Sequence, residues 1–433
     1  MVVRKKAGDN RGLIAAERHE IPAVASGFIL FFLLFASYFM LRPVREAFGI
    51  AGGVDNLQWL FTGTFVATLV VVPLYGWVAA RMPRRRLLPI LYTFSALILA
   101  GFATSLAIDP GNVWVARAFY IWLSVMNLFV ISVAWSLMAD VFDPEQAHRL
   151  FGRIAAGASL GGLAGPLLAG FLIAPIGEAG LLFLSAGLLL STLLCVRHLF
   201  AWHDRSGRQA SAPSPERIGG SIWAGFTLIA RSRYLLAISA FVLLLTTAST
   251  FLYFEQARIV EATFPDRASQ IQTFASIDVV VQSLTILIQI FLTGVLARRL
   301  GVTVLLVAVP VVMMLGFSLL AVAATFPVLA AVMIVRRVGE YALVRPGREM
   351  LFTPVAVETK YKAKNAIDTF VYRGGDAIAG WTYTFIVAIA TTGAVAIAGA
   401  ALAAIWAATG YLIGRRHDLR TARDGVHASQ SAY

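Results

Sequence analysis

The sequence predicts an all-α membrane protein in which twelve transmembrane helices form two six-helix bundles. Three observations carry this prediction. The 433-residue chain is 59% hydrophobic and only 14% charged, whereas soluble domains have about 25% charged residues. Apolar runs long enough to cross a bilayer as helices recur along the whole chain. A polar stretch near the middle separates six of these runs from six others.

The apolar runs define twelve predicted spans. Several are longer than the roughly 20 residues that a bilayer requires, so we expect tilting or protrusion. The predicted spans are residues 23–48, 55–80, 87–107, 113–141, 152–174, 178–202, 231–258, 268–297, 302–323, 326–351, 363–391 and 393–414. Cys195 is the single cysteine, which excludes a disulfide framework.

Lysine and arginine are concentrated in alternate loops, which accounts for the net charge of +13. The basic segments are the tail before residue 23, residues 81–86, 143–149, 203–233, 298–299 and 358–364, and the tail after residue 414. The positive-inside rule places these segments, and therefore both termini, in the cytoplasm. We predict a bacterial inner-membrane protein whose partner is the lipid bilayer and not nucleic acid.

The stretch 203–222, HDRSGRQASAPSPERIGGSI, reads as a cytoplasmic linker between two halves. The predicted division is a tail at 1–22, a bundle at 23–202, a linker at 203–230, a bundle at 231–414 and a tail at 415–433. The two halves contain similar motifs, since GWVAARMPRRR (76–86) and GVLARRLGVT (294–303) both end a span. Two related six-span units are typical of secondary transporters.

The first span carries charge near its end. Arg42, Arg45 and Glu46 share one helical face with Tyr38, and Pro43 predicts a kink. A charge in hydrocarbon costs roughly 2.5–3.5 kcal/mol on insertion scales, so such residues usually face a protein interior or a water-filled cavity. The alternative is that these arginines snorkel to the headgroups.

Three later spans carry charge nearer their centres. Span ten has Arg336, Arg337 and Glu340 beside Tyr341, and two arginines with one glutamate leave one positive charge over. The other residues are Asp278 in span eight and Arg373 and Asp376 in span eleven.

Arginine suits bidentate recognition of phosphate or carboxylate. The predicted substrate-binding residues are therefore Tyr38, Arg42, Arg45, Arg336, Arg337, Tyr341 and Arg373. The predicted coupling or gating residues are Glu46, Asp278, Glu340 and Asp376. The alternative is that the charges cancel in structural ion pairs.

The loop after span two resembles the signature of the major facilitator superfamily. Gly76, Arg81 and residues 84–86 fit that pattern, whereas Ala80 stands where the family has aspartate. Gly294 and Arg298 occupy the corresponding loop of the second half. The resemblance implies that Gly76, Arg81, Gly294 and Arg298 lie in loops that take part in conformational change.

Three further stretches resemble the nucleotide (ATP/ADP) translocases of intracellular bacteria and plastids and their shorter bacterial relatives. They are LRPVRE (41–46), FYIWLSVMNLFVISVAWSLMADVF (119–142) and EQAHRLFGRIAAGASLGG (145–162). The similarity runs through roughly the first 200 residues, and Ser124 stands where that family has an acidic residue. It implies a major-facilitator-like fold and exchange or proton-driven transport of nucleotides.

These observations favour a secondary active transporter that moves a small organic anion, such as a nucleotide or another phosphorylated metabolite, by alternating access. Protons are the candidate coupling ion, and we predict a monomer. One alternative is a proton-driven exporter of amphiphilic or drug-like compounds, and another is a non-transporting membrane sensor. An enzyme is not expected, and neither is a cofactor or metal, because all six histidines lie in loops, tails or span ends.

Overall fold

The computed structural model describes residues 17–205, 222–390 and 392–430, and these residues form helices and short connections with no strand. The helices of the first half are α1 Ile21–Ala51, α2 Leu57–Arg81, α3 Arg84–Ile108, α4 Val113–Val141 and α5 Pro144–Arg205. Those of the second half are α6 Ile222–Arg231, α7 Arg233–Thr263, α8 Arg267–Ile288, α9 Gly294–Val322, α10 Phe326–Gly339, α11 Arg345–Leu351, α12 Val357–Ala366, α13 Tyr372–Ile389 and α14 Thr392–Gln430. The predicted all-α membrane fold is confirmed.

Helix α5 contains two antiparallel spans that a single glycine joins. Gly177 has φ of 67°, a left-handed conformation that glycine adopts without steric cost. From the N-terminal to the C-terminal end of α1, the contacting residues of α5 increase in residue number before Gly177 and decrease in residue number after it. Those contacts are Phe28 with Gly157, Ala36 with Gly165, Ser26 with His198, and Ser37 with Ser185. The break lies between predicted spans five and six.

Gly301 divides α9 in the same way, with φ of 73°. Asp418 of α14 caps the part of α9 that begins after Gly301. Its carboxylate accepts hydrogen bonds from the backbone N–H groups of Val302 and Thr303 at 3.1 and 3.2 Å. The Thr303 hydroxyl donates to the same carboxylate at 2.6 Å. The break lies between predicted spans eight and nine.

Three short π-helical segments connect helices of the second half: Gln289–Thr293, Glu340–Val344 and Ile367–Val371. They continue α8 into α9, α10 into α11, and α12 into α13. With these continuations and the two glycine breaks, the described residues give a helical stretch at each predicted span. By length and composition, nine helices in the described part of the chain could cross a membrane.

Contacts divide the chain into two compact units. Unit 1 comprises the described residues of Met1–Arg42, Leu74–Gly111 and Met126–Ser214, and unit 2 those of Pro43–Pro73, Asn112–Val125 and Pro215–Tyr433. The predicted bundles at 23–202 and 231–414 remain a prediction. Most of the predicted linker, residues 206–221, and residues 1–16 and 431–433 of the predicted tails lie outside the described residues.

Glycines allow α1 and α5 to pack closely within unit 1. A Cβ added at Gly157, Gly161 or Gly165 would lie only 2.2 to 2.7 Å from backbone oxygens of α1. Spacing small residues four apart is a common way for membrane helices to bring their backbones together. The stripe therefore fixes the face that α5 presents to α1.

Glu20, just before α1, ties the start of that helix to α5. It is 1% exposed and accepts hydrogen bonds from Gln146 Nε2 at 2.7 Å and Arg149 Nη2 at 2.8 Å. Burial raises the pKa of Glu20, but hydrogen bonds from the Glu17 backbone, Gln146 and Arg149 outweigh that effect and hold it below its usual value. Glu17, His19 and Glu20 also lie close enough to hold a metal ion, although Glu20 already serves these donors.

Candidate functional site

Four of the predicted arginines each lie beside a carboxylate within unit 2. The N···O distances are 2.6 Å for Arg45–Glu46, 2.8 Å for Arg336–Glu340, 2.5 Å for Arg337–Asp278 and 3.6 Å for Arg373–Asp376. All four carboxylates belong to residues that are less than 10% exposed. The structure therefore brings together the predicted basic and acidic residues as ion pairs.

Arg337 and Asp278 form the most deeply buried pair, with residue exposures of 5% and 2%. Arg337 lies on α10 and Asp278 on α8, so the pair connects two helices. Val338 next to Arg337 packs in one apolar cluster with Ile277 and Val281. The prediction of one surplus positive charge in span ten is wrong, because it counted only charges within that span and the partner of Arg337 comes from another helix.

Arg336 contacts two helices. Its Nη1 atom donates to Glu340 Oε2 at 2.8 Å and to Ser249 Oγ of α7 at 2.9 Å. Glu340 opens a π-helical segment, and such segments often occur at functional sites. The Arg345 guanidinium lies 4.5 Å from the centre of the Tyr341 ring and 3.8 Å from Glu340. The sequence reasoning did not assign Arg345 to the site, although its position four residues after Tyr341 is a usable signal.

Ser124 on α4 is the point where arginines from the two halves of the chain meet. Arg45 Nη1 of α1 donates to Ser124 Oγ at 3.2 Å, and Arg373 Nη2 of α13 donates to Ser124 O at 3.4 Å. The Ser124 hydroxyl in turn donates to Tyr120 O at 2.7 Å. Ser124 is 4% exposed. Both guanidinium groups therefore lie against one neutral residue. The sequence pattern alone does not place Ser124 in the site.

Asp376 has a second polar neighbour besides Arg373. The Thr250 hydroxyl of α7 donates to Asp376 Oδ1 at 3.3 Å. The Arg373 side chain is one quarter exposed, more than those of Arg45, Arg336 and Arg337. With the longest separation of the four pairs, Arg373 and Asp376 form the loosest one.

Aromatic residues adjoin Ser124 on the side of the C-terminal end of α1. The Tyr120 hydroxyl, one helical turn from Ser124, donates to the Tyr253 hydroxyl of α7 at 3.0 Å. The Arg45 guanidinium lies 5.1 Å from the centre of the Tyr120 ring, and Phe61 of α2 packs edge-on against Tyr253 at 5.3 Å. These rings connect both halves of the chain, and sequence reasoning did not assign them.

A second layer of contacts lies at the start of α2. Trp59 packs edge-on against Trp381 of α13 at 4.8 Å, and Trp381 Nε1 donates to Thr62 Oγ1 at 3.0 Å. Gly380 approaches Gln58 so closely that an added Cβ would be 3.4 Å from Gln58 Cα. Within unit 2, the N-terminal end of α2 is thus packed directly on α13.

Arg42 and Tyr38 belong to unit 1. The half-buried Arg42 has its guanidinium 5.9 Å from the centre of the Phe39 ring, and Tyr38 packs edge-on against the same ring.

The residues predicted to lie in loops differ from that prediction, because Gly76, Arg81 and Gly294 lie within helices that extend past the apolar runs. Gly76 is in α2, and Arg81, the last residue of that helix, stacks on Trp77 at 4.2 Å. Arg84, the first residue of α3, pairs with Asp140 of α4. Gly294 begins α9, and the side chain of Arg298 lies outside the described part of the structure.

Comparison with known proteins agrees with this architecture. Residues 23–356 match the family model described as Major Facilitator Superfamily, so the chain belongs to that superfamily of transporters. It is accordingly a multi-pass membrane protein. No curated protein matches the chain in sequence.

Several solved structures of transporters are similar to this chain in fold. A variant of the nucleoside transporter NupG is 15% identical with a TM-score of 0.65, covering 90% of this chain and 99% of its own. A bacterial homologue of the iron transporter ferroportin in an inward-facing state is 15% identical with a TM-score of 0.64, covering 90% and 98%. The POT family transporter PepTSo is 13% identical with a TM-score of 0.64, covering 92% and 98%. At these identities the likeness shows the fold alone.

Proposed function

We propose that the protein is a secondary active transporter that moves a small organic anion, such as a nucleotide or another phosphorylated metabolite, by alternating access. The observation that carries the proposal is the meeting of Arg45 and Arg373 at Ser124. A solute bound there would contact both halves of the chain, which is what alternating access requires. Two guanidinium groups on either side of a neutral residue suit a phosphate or carboxylate.

The ion pairs suggest how anion binding is coupled to protons. An anion that takes the Arg373 guanidinium must displace Asp376. A displaced carboxylate in a dry environment is unfavourable unless it takes up a proton. Anion and proton would then bind together, and both would leave when the Arg373–Asp376 pair forms again. Arg373–Asp376 is the best candidate because it is the loosest of the four pairs. Glu46 and Glu340 would hold Arg45 and Arg336 in place.

The packed layer around Gln58 and Trp381 favours a state that is closed to the outside. The positive-inside rule puts the C-terminal end of α1 and the N-terminal end of α2 on the outer side, and both termini in the cytoplasm of a bacterial cell. The transporter would act as a monomer in the inner membrane.

A second candidate is transport of a neutral or amphiphilic solute, including export of drug-like compounds. The supporting observation is that each of the four arginines has a carboxylate beside it, so that the local charges balance. The rings of Phe61, Tyr120 and Tyr253 would offer such a solute an aromatic surface.

Uptake into proteoliposomes distinguishes these candidates. We expect wild type to accumulate a labelled nucleotide or phosphorylated metabolite when the outside is acidic. Arg373→Gln should reduce uptake at least tenfold, because the anion loses a charged contact worth about 1.5–3 kcal/mol. Asp376→Asn should retain anion exchange but lose the response to the pH gradient. The control is Arg231→Gln, an exposed arginine at the end of α6.

The anion proposal fails if wild type ignores every anion but takes up nucleosides or expels amphiphiles. The assignment of proton coupling fails if Asp376→Asn still responds to the pH gradient.

A further inference from the structure

We infer that Ser124 determines the charge selectivity of the transporter, because its neutral side chain leaves the position between Arg45 and Arg373 to an anionic group of the substrate. The inference rests on the proposed function, since it names the place where the substrate anion binds. Neither the sequence motifs nor the fold assigns a role to this residue.

The hydrogen bonds locate the position. Arg45 reaches the Ser124 hydroxyl and Arg373 reaches the carbonyl of the same residue, at 3.2 and 3.4 Å. A phosphate or carboxylate beside Ser124 would therefore lie next to both guanidinium groups. One group comes from α1 and the other from α13, so an anion bound between them would link the two halves.

The surrounding groups favour this position over others in the cluster. Glu46 lies beside Arg45 and Asp376 beside Arg373. A guanidinium has several N–H donors in a planar fork, so Arg45 can contact Glu46 and an anion together, whereas the looser Asp376 would give up Arg373 to the anion. The hydrogen-bonded Tyr120–Tyr253 pair lies one turn away along α4. Arg337 is not available, because it is 5% exposed and held by Asp278 on α8.

A carboxylate at position 124 would remove this selectivity. An aspartate side chain is one bond longer than serine, so its carboxylate would lie at or just beyond the position where the serine hydroxyl now accepts from Arg45. It would place a fixed negative charge beside Arg45, while Arg373 would keep its contact with the backbone carbonyl. A substrate anion would then meet a like charge in a dry site, which is strongly unfavourable. Asparagine has the same shape as aspartate without the charge, which provides a matched control.

The experiment compares Ser124→Asp with Ser124→Asn in detergent-solubilised full-length protein. The probes are ATP, inorganic phosphate and citrate, and the readouts are the ligand-induced rise in Tm and the Kd from titration. We expect Ser124→Asp to weaken binding of the anions that wild type binds at least tenfold, and Ser124→Asn to stay within about threefold.

Equal anion binding by the two variants, with wild type also binding, would overturn the inference and leave the proposed function intact. Equal weakening in both variants would mean that size and not charge matters at position 124, and this also overturns it. If wild type binds none of the anions, the anion proposal and the inference fail together.

Discussion

At the scale of single residues, the ion pairs have different roles. The Arg337–Asp278 pair is almost inaccessible and joins α8 to α10, whereas Arg373 is partly exposed and also contacts Ser124 on α4. We therefore propose that Arg337 stabilises the second half and that Arg373 binds the substrate. A residue that is locked into a buried pair contributes its charge to the fold and not to a ligand.

Replacement of Arg337 by glutamine should destabilise the protein by about 3–5 kcal/mol, because Asp278 would be left as a buried charge without its partner. The measurement is thermal unfolding in detergent. The double variant Arg337→Gln with Asp278→Asn should be more stable than Arg337→Gln alone, because the buried charge is then removed. If Arg337→Gln unfolds like wild type, the pair does not hold the helices together.

Residue spacing in the sequence identified some contacts of the site and missed others. The Arg336–Glu340 and Arg373–Asp376 pairs lie within one helix, at separations of four and three residues, so helical periodicity is sufficient to predict them. The pair of Arg337 with Asp278 depends on how two helices pack, which periodicity does not specify. The role of Ser124 rests partly on its backbone carbonyl, which every residue possesses and which therefore leaves no signal in the sequence.

At the scale of elements, the packing of α1 on α5 depends on a stripe of glycines. An added Cβ at Gly161 would lie 2.3 Å from the Phe32 carbonyl oxygen, so any side chain would force the two backbones apart. The backbone of a helix cannot rotate away as a flexible side chain can. The small residues of this stretch are thus a requirement of the helix interface.

Gly161→Ala should destabilise the protein by about 1–3 kcal/mol, the usual cost of overpacking. Gly152→Ala in the same helix is the matched control, because an added Cβ there has no neighbour within 4 Å among the described residues. It should be neutral or stabilising by up to about 1 kcal/mol, since alanine favours helix more than glycine does. Thermal unfolding of Gly161→Ala and Gly152→Ala tests this prediction. Equal shifts in Tm would contradict the close approach of α1 and α5.

The existence of the helices could be predicted, and some of their details could not. The length of each apolar run sets where a span begins and ends, so the twelve predicted spans correspond to helical stretches. The π-helical segments Gln289–Thr293, Glu340–Val344 and Ile367–Val371 were not foreseen. The hydrophobic periodicity of a helix is averaged over several turns. A single π-helical turn changes that average too little to be detected in the sequence.

At the scale of the whole molecule, the contacts of unit 2 combine segments from both halves of the chain. Pro43–Pro73 and Asn112–Val125 cluster with the second half. The linker and the similar motifs at 76–86 and 294–303 predict two halves that are each continuous in sequence. Grouping by contact depends on the conformation that the transporter adopts, so the sequence alone does not determine it.

A disulfide across the layer at Gln58 and Gly380 should stop transport. An added Cβ at Gly380 would lie 3.5 Å from Gln58 Cβ, a separation found in disulfides. In a background with Cys195→Ser, we expect Gln58→Cys with Gly380→Cys to cross-link under mild oxidation and lose uptake, because this layer has to open during alternating access. Reductant should restore uptake.

Each single cysteine variant should be insensitive to the oxidant. Full uptake by the cross-linked protein would show that the layer does not open during the cycle, and alternating access through this side would then be wrong.

The π-helical segments have a consequence for how insertions and deletions act on this protein. Each turn of a π-helix contains one residue more than a turn of an α-helix, since its hydrogen bonds run from i to i+5. Removal of one residue from Glu340–Val344 would let that turn close as an ordinary α-helical turn, and the helix on either side would keep the face that it shows its neighbours. In a regular stretch such as α7, the same deletion would rotate everything beyond it by about 100°. The described part of the second half therefore has three places where its length can change by one residue at small cost to the packing.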